Sequence, residues 1–283
     1  MTVTYVELSN PINPAKVETL KRIYSAVGSM PVVLLGAFAR DLIFDHIHNI
    51  VAPRATMDID ICVQMTSWDD FNATCVRLKD MGFREDGPEH PEKMYDTNGQ
   101  EVDLLPFGSL SDDGKTITWP QDDSPWSICG IQEAYEHAIV ITVDGLELRV
   151  ISPCAMIYLK MFSVHDRPDV RRKKDTGDIQ FVLENYLDVT GRKRLRSGGR
   201  DSDVMELVDG DLEKAVARIA GRDIGKILGG ESVGELLEIL RIETQSQTSK
   251  PIAQQLAKFH QGKFERAREI LQSLSDGFNE VRG

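Results

Sequence analysis

The sequence predicts an α+β fold in which a mixed sheet with flanking helices is followed by an α-helical C-terminal domain. Up to about residue 151, short apolar runs bounded by glycine, proline or aspartate alternate with helical patterns. From residue 152 onward, apolar residues recur only at helical spacing. A chain of 283 residues is long enough for two domains, which we place at 1–151 and 152–283.

The predicted elements of the first domain follow one another in an irregular order. Asn13-Pro14 is typical of a helix start and Gly28 of its end. The pattern then predicts a buried strand at 31–35, a helix from Ala37 to about Ile50, a strand at 57–63, a helix from Ser67 to Met81 and a strand at 101–106. Residues 83–98 are polar and stay unassigned, and 108–128 resemble an insertion or a long loop. Two apolar runs around Asp144-Gly145 predict a β-hairpin.

The second domain is predicted to be helical throughout. Ser152-Pro153 is typical of a helix start, and a second helix carries Ile179, Leu183 and Tyr186. Residues 190–203 are rich in glycine and arginine, which is typical of an exposed connection. The last 80 residues form charged amphipathic helices.

The net charge of −12 argues against a protein that coats nucleic acid. The charge is uneven, however, because residues 167–200 contain ten Lys or Arg and five Asp or Glu, which leaves −17 on the rest. This basic segment is able to bind a polyanion such as RNA. A solvated helix end and linker explains it equally well.

Other features of the composition indicate a cytoplasmic protein. No apolar run is long enough to predict a membrane span, and the N-terminus does not resemble a secretory signal. The four cysteines are widely spaced and form no Cys-x-x-Cys, so we expect reduced thiols.

Asp58 and Asp60 are the first candidate site residues. On a strand, alternate side chains share a face, so both carboxylates are predicted to lie opposite Met57, Ile59 and Ile61. Adjacent carboxylates repel each other unless a cation such as Mg²⁺ lies between them. A solvated polar face is the competing explanation of the same pattern.

Two further features strengthen the metal interpretation. Gly36 ends a predicted strand and begins a helix, where free N–H groups favour an anion such as phosphate. Asp103 lies between Val102 and Leu104 on a separate predicted strand, and it would complete a cluster for one or two Mg²⁺ ions. Asp103 is also the candidate general base, and Glu101 is the alternative for that role.

The order of these motifs resembles the DNA polymerase β-like nucleotidyltransferase superfamily. Within it, Arg54-Ala55-Thr56-Met57-Asp58-Ile59-Asp60 and Val102-Asp103-Leu104-Leu105-Pro106-Phe107-Gly108 look like the AbiEii/AbiGii toxin-type nucleotidyltransferases. Leu159-Lys160-Met161 and Lys174-Asp175-Thr176-Gly177-Asp178 match the later lysine-bearing helix and Lys-Asp-x-x-Asp segment. The resemblance covers roughly residues 30–185.

The resemblance implies a transferase that moves NMP from an NTP to a hydroxyl with Mg²⁺ and releases pyrophosphate. It implies an RNA acceptor such as the tRNA 3′ end, a toxin–antitoxin role and a cognate antitoxin partner. Lys160 would neutralise nucleotide phosphates, and Asp178 would orient Lys160 or the nucleotide. Phosphate contacts are expected from Gly36, Ala37, Arg40 and Arg54. Ala37 departs from the family, which usually has glycine or serine there, so the hydroxyl that a serine would offer to phosphate is missing.

Two alternatives remain open at this point. A small-molecule enzyme, such as an antibiotic-adenylating transferase, uses the same carboxylate cluster. A non-catalytic relative that binds a nucleotide or a protein is the other, and the intact Asp58, Asp60 and Asp103 speak against it.

Overall fold

A computed structural model of the protein describes residues 8–54, 56–166, 169–245 and 251–282. The chain divides into two compact units, Met1–Ser152 and Pro153–Gly283. The first unit contains a mixed sheet with flanking helices and the second is helical, which confirms the predicted fold class.

The first unit contains both strands and helices. Its helices are α1 (Pro14–Val27), α2 (Gly36–Asp41), α3 (Trp68–Asp80) and α4 (Ile131–Glu136), with a π-helical turn over Leu42–Ile47 after α2. Its strands are β1 (Val32–Leu35), β2 (Ile59–Gln64), β3 (Arg84–Gly87), β4 (His90–Tyr95), β5 (Glu101–Phe107), β6 (Thr116–Thr118), β7 (Pro125–Ser127), β8 (Ile139–Val143) and β9 (Leu146–Val150).

The described strands form one seven-stranded sheet in the order β3-β4-β5-β2-β1-β9-β8 and a separate β6-β7 hairpin. Strands β2 and β5 are parallel, as are β1 and β9, whereas the other pairs are antiparallel. One face of the central strands is the core: Ile59, Ile61 and Leu104 have no exposed surface. Because side chains alternate along a strand, the other face carries the polar residues of β2 and β5.

Several local predictions are confirmed because they depend on short-range chemistry. The Asn13 side chain accepts a hydrogen bond from the Ala15 N–H at the start of α1. Ser67 and Asp70 form a reciprocal capping box at the start of α3. Asp144 and Gly145 both have positive φ, as expected for the two-residue turn between β8 and β9.

Other predictions about the first unit were wrong. The strand predicted at 57–63 begins at Ile59, so Met57 does not lie on the apolar face and is 79% exposed. The helix predicted to reach Ile50 ends as a π-helical turn at Ile47. The segment predicted as a long loop contains the β6-β7 hairpin, which packs the buried Trp119 against Trp68 at a ring distance of 5.0 Å.

The second unit is helical over its described residues. Its α-helices are α5 (Pro153–Asp166), α6 (Asp169–Glu184), α7 (Tyr186–Thr190), α8 (Val204–Leu207), α9 (Leu212–Ile227), α10 (Ser232–Thr244), α11 (Pro251–Phe259) and α12 (Phe264–Glu280), with a 3₁₀ turn over Arg192–Leu195. Glycines allow α9 and α12 to pack closely. A Cβ at Gly221 would lie 2.0 Å from the Leu274 carbonyl oxygen, and one at Gly277 would lie 1.9 Å from that of Arg218.

The described helices include none that is both long and apolar enough to cross a membrane. All four cysteines are buried.

Candidate active site

Asp60 and Asp103 form the centre of the candidate site. They are directly paired in the register of the parallel strands β2 and β5, so their side chains share the polar face of the sheet. Burial, followed by the charge of Asp60, raises the pKa of Asp103 to about 7. The sheet therefore brings two of the three predicted carboxylates together, and one of them ionises near neutral pH.

Gly36 lies against the Asp60 carboxylate. Leu35 pairs with Asp60 across β1 and β2, and the next residue starts α2 with φ of +69°. A Cβ at this position would lie 1.9 Å from Oδ2 of Asp60. Only glycine satisfies both the left-handed backbone and this close approach, so the backbone at the start of α2 reaches the carboxylate pair directly.

Asp58 is held differently from Asp60, because it precedes β2 and is not fixed by strand register. Its Oδ1 accepts a hydrogen bond from the Thr56 hydroxyl. Lys16 of α1 donates to the Thr56 carbonyl oxygen at 3.1 Å, and its ammonium lies over the Phe38 ring. Burial lowers the pKa of Lys16, although Asp41 and Asp58 oppose the shift. Sequence analysis does not find Lys16, because in the sequence it is simply one polar residue of an amphipathic helix.

Lys93 on β4 is a second cation that sequence analysis does not find. It pairs in register with Asp103, lies 3.9 Å from Oδ1 of Asp103 and donates a hydrogen bond to Glu101. Its strand escapes prediction because one of the inward positions of β4 is the buried Glu92, which breaks the apolar alternation. The sequence still shows one apolar residue of this strand, Met94, between Lys93 and Tyr95.

The carboxylates fit a divalent cation in part. Within the described ranges, no three His, Cys, Asp or Glu side chains are arranged to hold a metal ion. The Asp60–Asp103 pair nevertheless offers the oxygen donors that Mg²⁺ prefers. Oδ1 of Asp103 is buried and has no hydrogen-bond partner among the described residues, which fits a cation ligand. Two carboxylates thus suit a divalent cation, and the participation of Asp58 stays a prediction.

The two arginines predicted to contact phosphate have different environments. Arg40 is 3% exposed, and its Nη2 donates to Oδ1 of Asp41 at 2.6 Å and to the Arg54 carbonyl oxygen at 3.0 Å. Arg40 therefore ties the chain around residue 54 to α2. The Arg54 side chain is exposed. Ala37 is buried directly after Gly36.

In the second unit, Lys160 of α5 lies between two carboxylates of α6. Its Nζ is 2.7 Å from Oδ1 of Asp175 and 3.1 Å from Oδ2 of Asp178, and Ser163 donates to Asp175. Burial disfavours the charged amine, but Asp175 and Asp178 outweigh it, so the pKa of Lys160 is raised. The predicted contact between Asp178 and Lys160 is present. Asp175 belongs to the motif in the sequence, but the sequence predicts no role for it.

Three arginines of the basic segment are paired with carboxylates of their own unit. Arg194 is buried, and it bonds Asp201 and, in bidentate fashion, Asp223 at 2.7 and 2.9 Å. Arg192 pairs with Asp188, and Arg200 lies within 4 Å of Asp201. Arg167 and the side chain of Arg171 lie outside the described residues. The exposed charge left for a polyanion is therefore smaller than the sequence suggests.

Comparisons with known proteins found only distant similarity. No protein-family profile and no curated protein match the sequence. A crystal structure of ANT(2″)-Ia in complex with adenylyl-2″-tobramycin is 14% identical, with a TM-score of 0.37, and the alignment covers 61% of this chain and 90% of that one. A CCA-adding enzyme with CTP is 15% identical, with a TM-score of 0.25 and coverage of 96% and 70%. The Thermotoga maritima CCA-adding enzyme complexed with tRNA is 16% identical, with a TM-score of 0.25 and the same coverage. At such low identity and TM-score, these likenesses establish no activity for this chain.

Proposed function

We propose that the first unit catalyses nucleotidyl transfer, moving NMP from an NTP to a hydroxyl acceptor and releasing pyrophosphate. The observation that carries this proposal is the pairing of Asp60 with Asp103 on neighbouring parallel strands, with the Gly36 backbone against Asp60. Paired carboxylates beside a glycine-led helix start supply metal ligands and phosphate-binding N–H groups in one place.

Asp103 is suited to act as the general base. Its carboxylate lies on the polar face of the sheet beside Asp60, where it would accept the proton of the acceptor hydroxyl. The hydroxyl oxygen then bonds to the α-phosphorus, and the bond from that phosphorus to the pyrophosphate oxygen breaks. A divalent cation bound by Asp60 and Asp103, with Asp58 as the predicted third ligand, would stabilise the charge on the transferred group.

The start of α2 is proposed to hold the phosphates of the NTP. Gly36 removes the side chain that would block approach, and Ala37 contributes a backbone N–H without a hydroxyl. The exposed Arg54 is a further candidate contact, whereas Arg40 serves chiefly to hold the chain that carries Arg54. Lys160 and Asp178 retain the roles that the family resemblance implies.

RNA, in particular the tRNA 3′ end, is the acceptor that the resemblance favours, in a toxin that a cognate antitoxin restrains. Exposed Lys173, Lys174, Lys193 and Arg196 are the candidate contacts to RNA phosphates. The burial of Arg194 between Asp201 and Asp223 favours the second candidate, a small-molecule acceptor such as an antibiotic.

The test is transfer of label from each α-labelled NTP, with Mg²⁺, to total RNA or to a panel of aminoglycosides. Label that appears on one acceptor and is lost in Asp60→Asn supports the proposal and identifies the acceptor class. The matched control is Asp144→Asn, an exposed turn residue with positive φ that asparagine tolerates. Absence of transfer to any acceptor, together with absence of Mg²⁺-dependent NTP binding, would overturn it.

A toxin role is tested separately by expression. Growth arrest that depends on Asp60 and Asp103 supports it. Normal growth with full transfer activity in vitro would remove the toxin role and leave the enzymatic proposal intact.

A further inference from the structure

The proposed chemistry gives no role to Lys93. It enters from β4, on the side of Asp103 away from β2. Across β2, β5 and β4 the register places Asp60, Asp103 and Lys93 in one row on the polar face of the sheet. The Lys93 ammonium group thus lies beside Asp103, and Asp60 is the neighbour of Asp103 on its other side.

Lys93 has two carboxylate partners at different distances. It is hydrogen-bonded to Glu101, whereas Oδ1 of Asp103 is 3.9 Å away and accepts no hydrogen bond from the part of the chain that the structure describes. The Lys93 side chain is 22% exposed, so its charge is only partly screened by water. Glu101 therefore keeps the lysine next to Asp103 without engaging the Asp103 oxygen itself.

An exposed lysine–glutamate salt bridge in the same unit serves as a comparison. Lys79 and Glu85 are 2.8 Å apart, and each is nearly half exposed. That lysine has a single carboxylate partner, and such a pair contributes little to stability. Lys93 differs because its positive charge acts on a carboxylate that is already repelled by a second one, Asp60.

We propose that Lys93 is a positioning residue that acts as the resident counter-charge of the Asp60–Asp103 pair and competes with the divalent cation for it. This inference rests on the proposed function, since it concerns the affinity of the same site. In the metal-free protein Lys93 offsets the repulsion between the carboxylates. When the metal binds, the ammonium group of Lys93 stays hydrogen-bonded to Glu101. The lysine therefore lowers the affinity for the cation and prevents the site from holding it too tightly.

The first test measures binding of Mn²⁺ alone, by electron paramagnetic resonance at pH 8.5, with no nucleotide present. Lys93→Met keeps the length of the side chain and removes the charge, so Mn²⁺ should bind about three- to tenfold more tightly. Lys93→Arg should bind as the wild type does, and Lys79→Met is the matched control. Unchanged or weaker Mn²⁺ binding in Lys93→Met would overturn the inference, because a lysine that only supports folding cannot improve affinity when it is removed.

The second test requires no metal and separates this inference from the proposed function. In EDTA, the Lys93→Met variant should melt at a lower temperature than the wild type. The carboxylates of Asp60 and Asp103 then repel each other without compensation. In an Asp60→Asn background the same change should have a clearly smaller effect. Equal effects in both backgrounds would overturn the counter-charge role even if transfer activity is found. A clear coupling with no transfer activity would support it and would remove the proposed function alone.

Discussion

Asp60 and Asp103 lie directly opposite each other on β2 and β5, and the two strands run parallel. Opposite residues of neighbouring strands share a face, whereas a slip of one residue would turn one carboxylate into the core. The apolar neighbours Ile59, Ile61 and Leu104 are fully buried, so such a slip would also expose the core. The hydrophobic pattern that folds the sheet therefore also fixes the position of the two acids.

The first prediction concerns the pH dependence of stability. Burial and Asp60 raise the pKa of Asp103 from 3.8 to about 7, so the folded state binds the proton more tightly than the unfolded chain. Stability should then fall as pH rises from about 4 to about 7, and the cost persists above 7. Asp103→Asn removes the charge, and at pH 8 in EDTA it should be more stable than the wild type by about 2–4 kcal/mol. Thermal or urea unfolding from about pH 3 to about pH 8 measures this difference.

The gain should vanish below about pH 3, where Asp103 is protonated in both states. Asp144→Asn, at an exposed turn, should show no such pH-dependent gain. Transfer activity should be lost in Asp103→Asn despite the higher stability. If Asp103→Asn is less stable than the wild type at pH 8, the charge of Asp103 stabilises the folded protein, which contradicts the prediction.

The second prediction separates backbone conformation from steric contact at Gly36. Gly28 and Gly36 have nearly equal φ, +66° and +69°, but no other described residue has an atom within 4 Å of a Cβ at Gly28. Gly28→Ala should therefore cost only the strain of its backbone, which has φ of 66° and ψ of −123°, and this strain is about 1–3 kcal/mol. Gly36→Ala should cost more, and it should also abolish Mn²⁺ binding, because the new methyl group displaces the Asp60 carboxylate. Unfolding and Mn²⁺ titration of both variants give the comparison.

Retention of Mn²⁺ binding in Gly36→Ala would mean that Asp60 can turn aside and still act as a ligand. Loss of binding in Gly28→Ala as well would indicate a general disturbance of the unit, since Gly28 ends α1 and does not touch the carboxylates.

The parts of the site that the sequence predicts are those that depend on local pattern. Period-two alternation around Asp103 and around the buried Ile59 and Ile61 identifies two strands with acids on the opposite face. Gly36 is recognisable because a strand-to-helix junction needs a special backbone. Each of these signals lies within a few residues of its own position.

The parts that the sequence does not predict depend on partners far away in the chain. Lys93 belongs to the site only because β4 pairs with β5, and the buried Glu92 conceals that strand. Asp58 is predicted on a strand, but the chain there is held by Lys16 of α1 through Thr56. Arg194 belongs to a segment predicted to be exposed, although two aspartates later in the chain bury it. Such pairings follow from tertiary packing, which no local pattern encodes.

The third prediction concerns the basic segment. Arg194→Met should destabilise the second unit by about 3 kcal/mol, because Asp201 is almost fully buried and is deprived of its main partner. Arg196→Met, at an exposed neighbour, should change stability by less than about 0.5 kcal/mol.

RNA binding is therefore to be tested with Lys193→Met and Arg196→Met and not with Arg194. If RNA is the acceptor, removing one phosphate-binding side chain should reduce the dependence of log K on log salt by about 1. An unchanged slope in both variants would exclude this segment as the RNA surface.

The fourth prediction concerns the support of Asp58 by Lys16. Lys16→Met keeps the packing over Phe38 but removes the hydrogen bond to the Thr56 carbonyl, so the segment that carries Asp58 is less firmly held. Because Asp58 lies outside the strand, no register compensates for this loss. Transfer activity should fall about ten- to a hundredfold, while stability changes by about 1 kcal/mol or less.

Lys21 provides the matched control for this change. It lies on the same helix, and its partner Asp144 is remote from the carboxylates and exposed. Lys21→Met should leave transfer activity unchanged, and Lys16→Arg should restore most of the activity because the arginine can still donate to the carbonyl. Full activity in Lys16→Met would show that Thr56 alone positions Asp58. Activity that falls equally in Lys16→Met and Lys16→Arg would instead mean that the compact ammonium of Lys16 acts on the substrate and does not merely position Asp58.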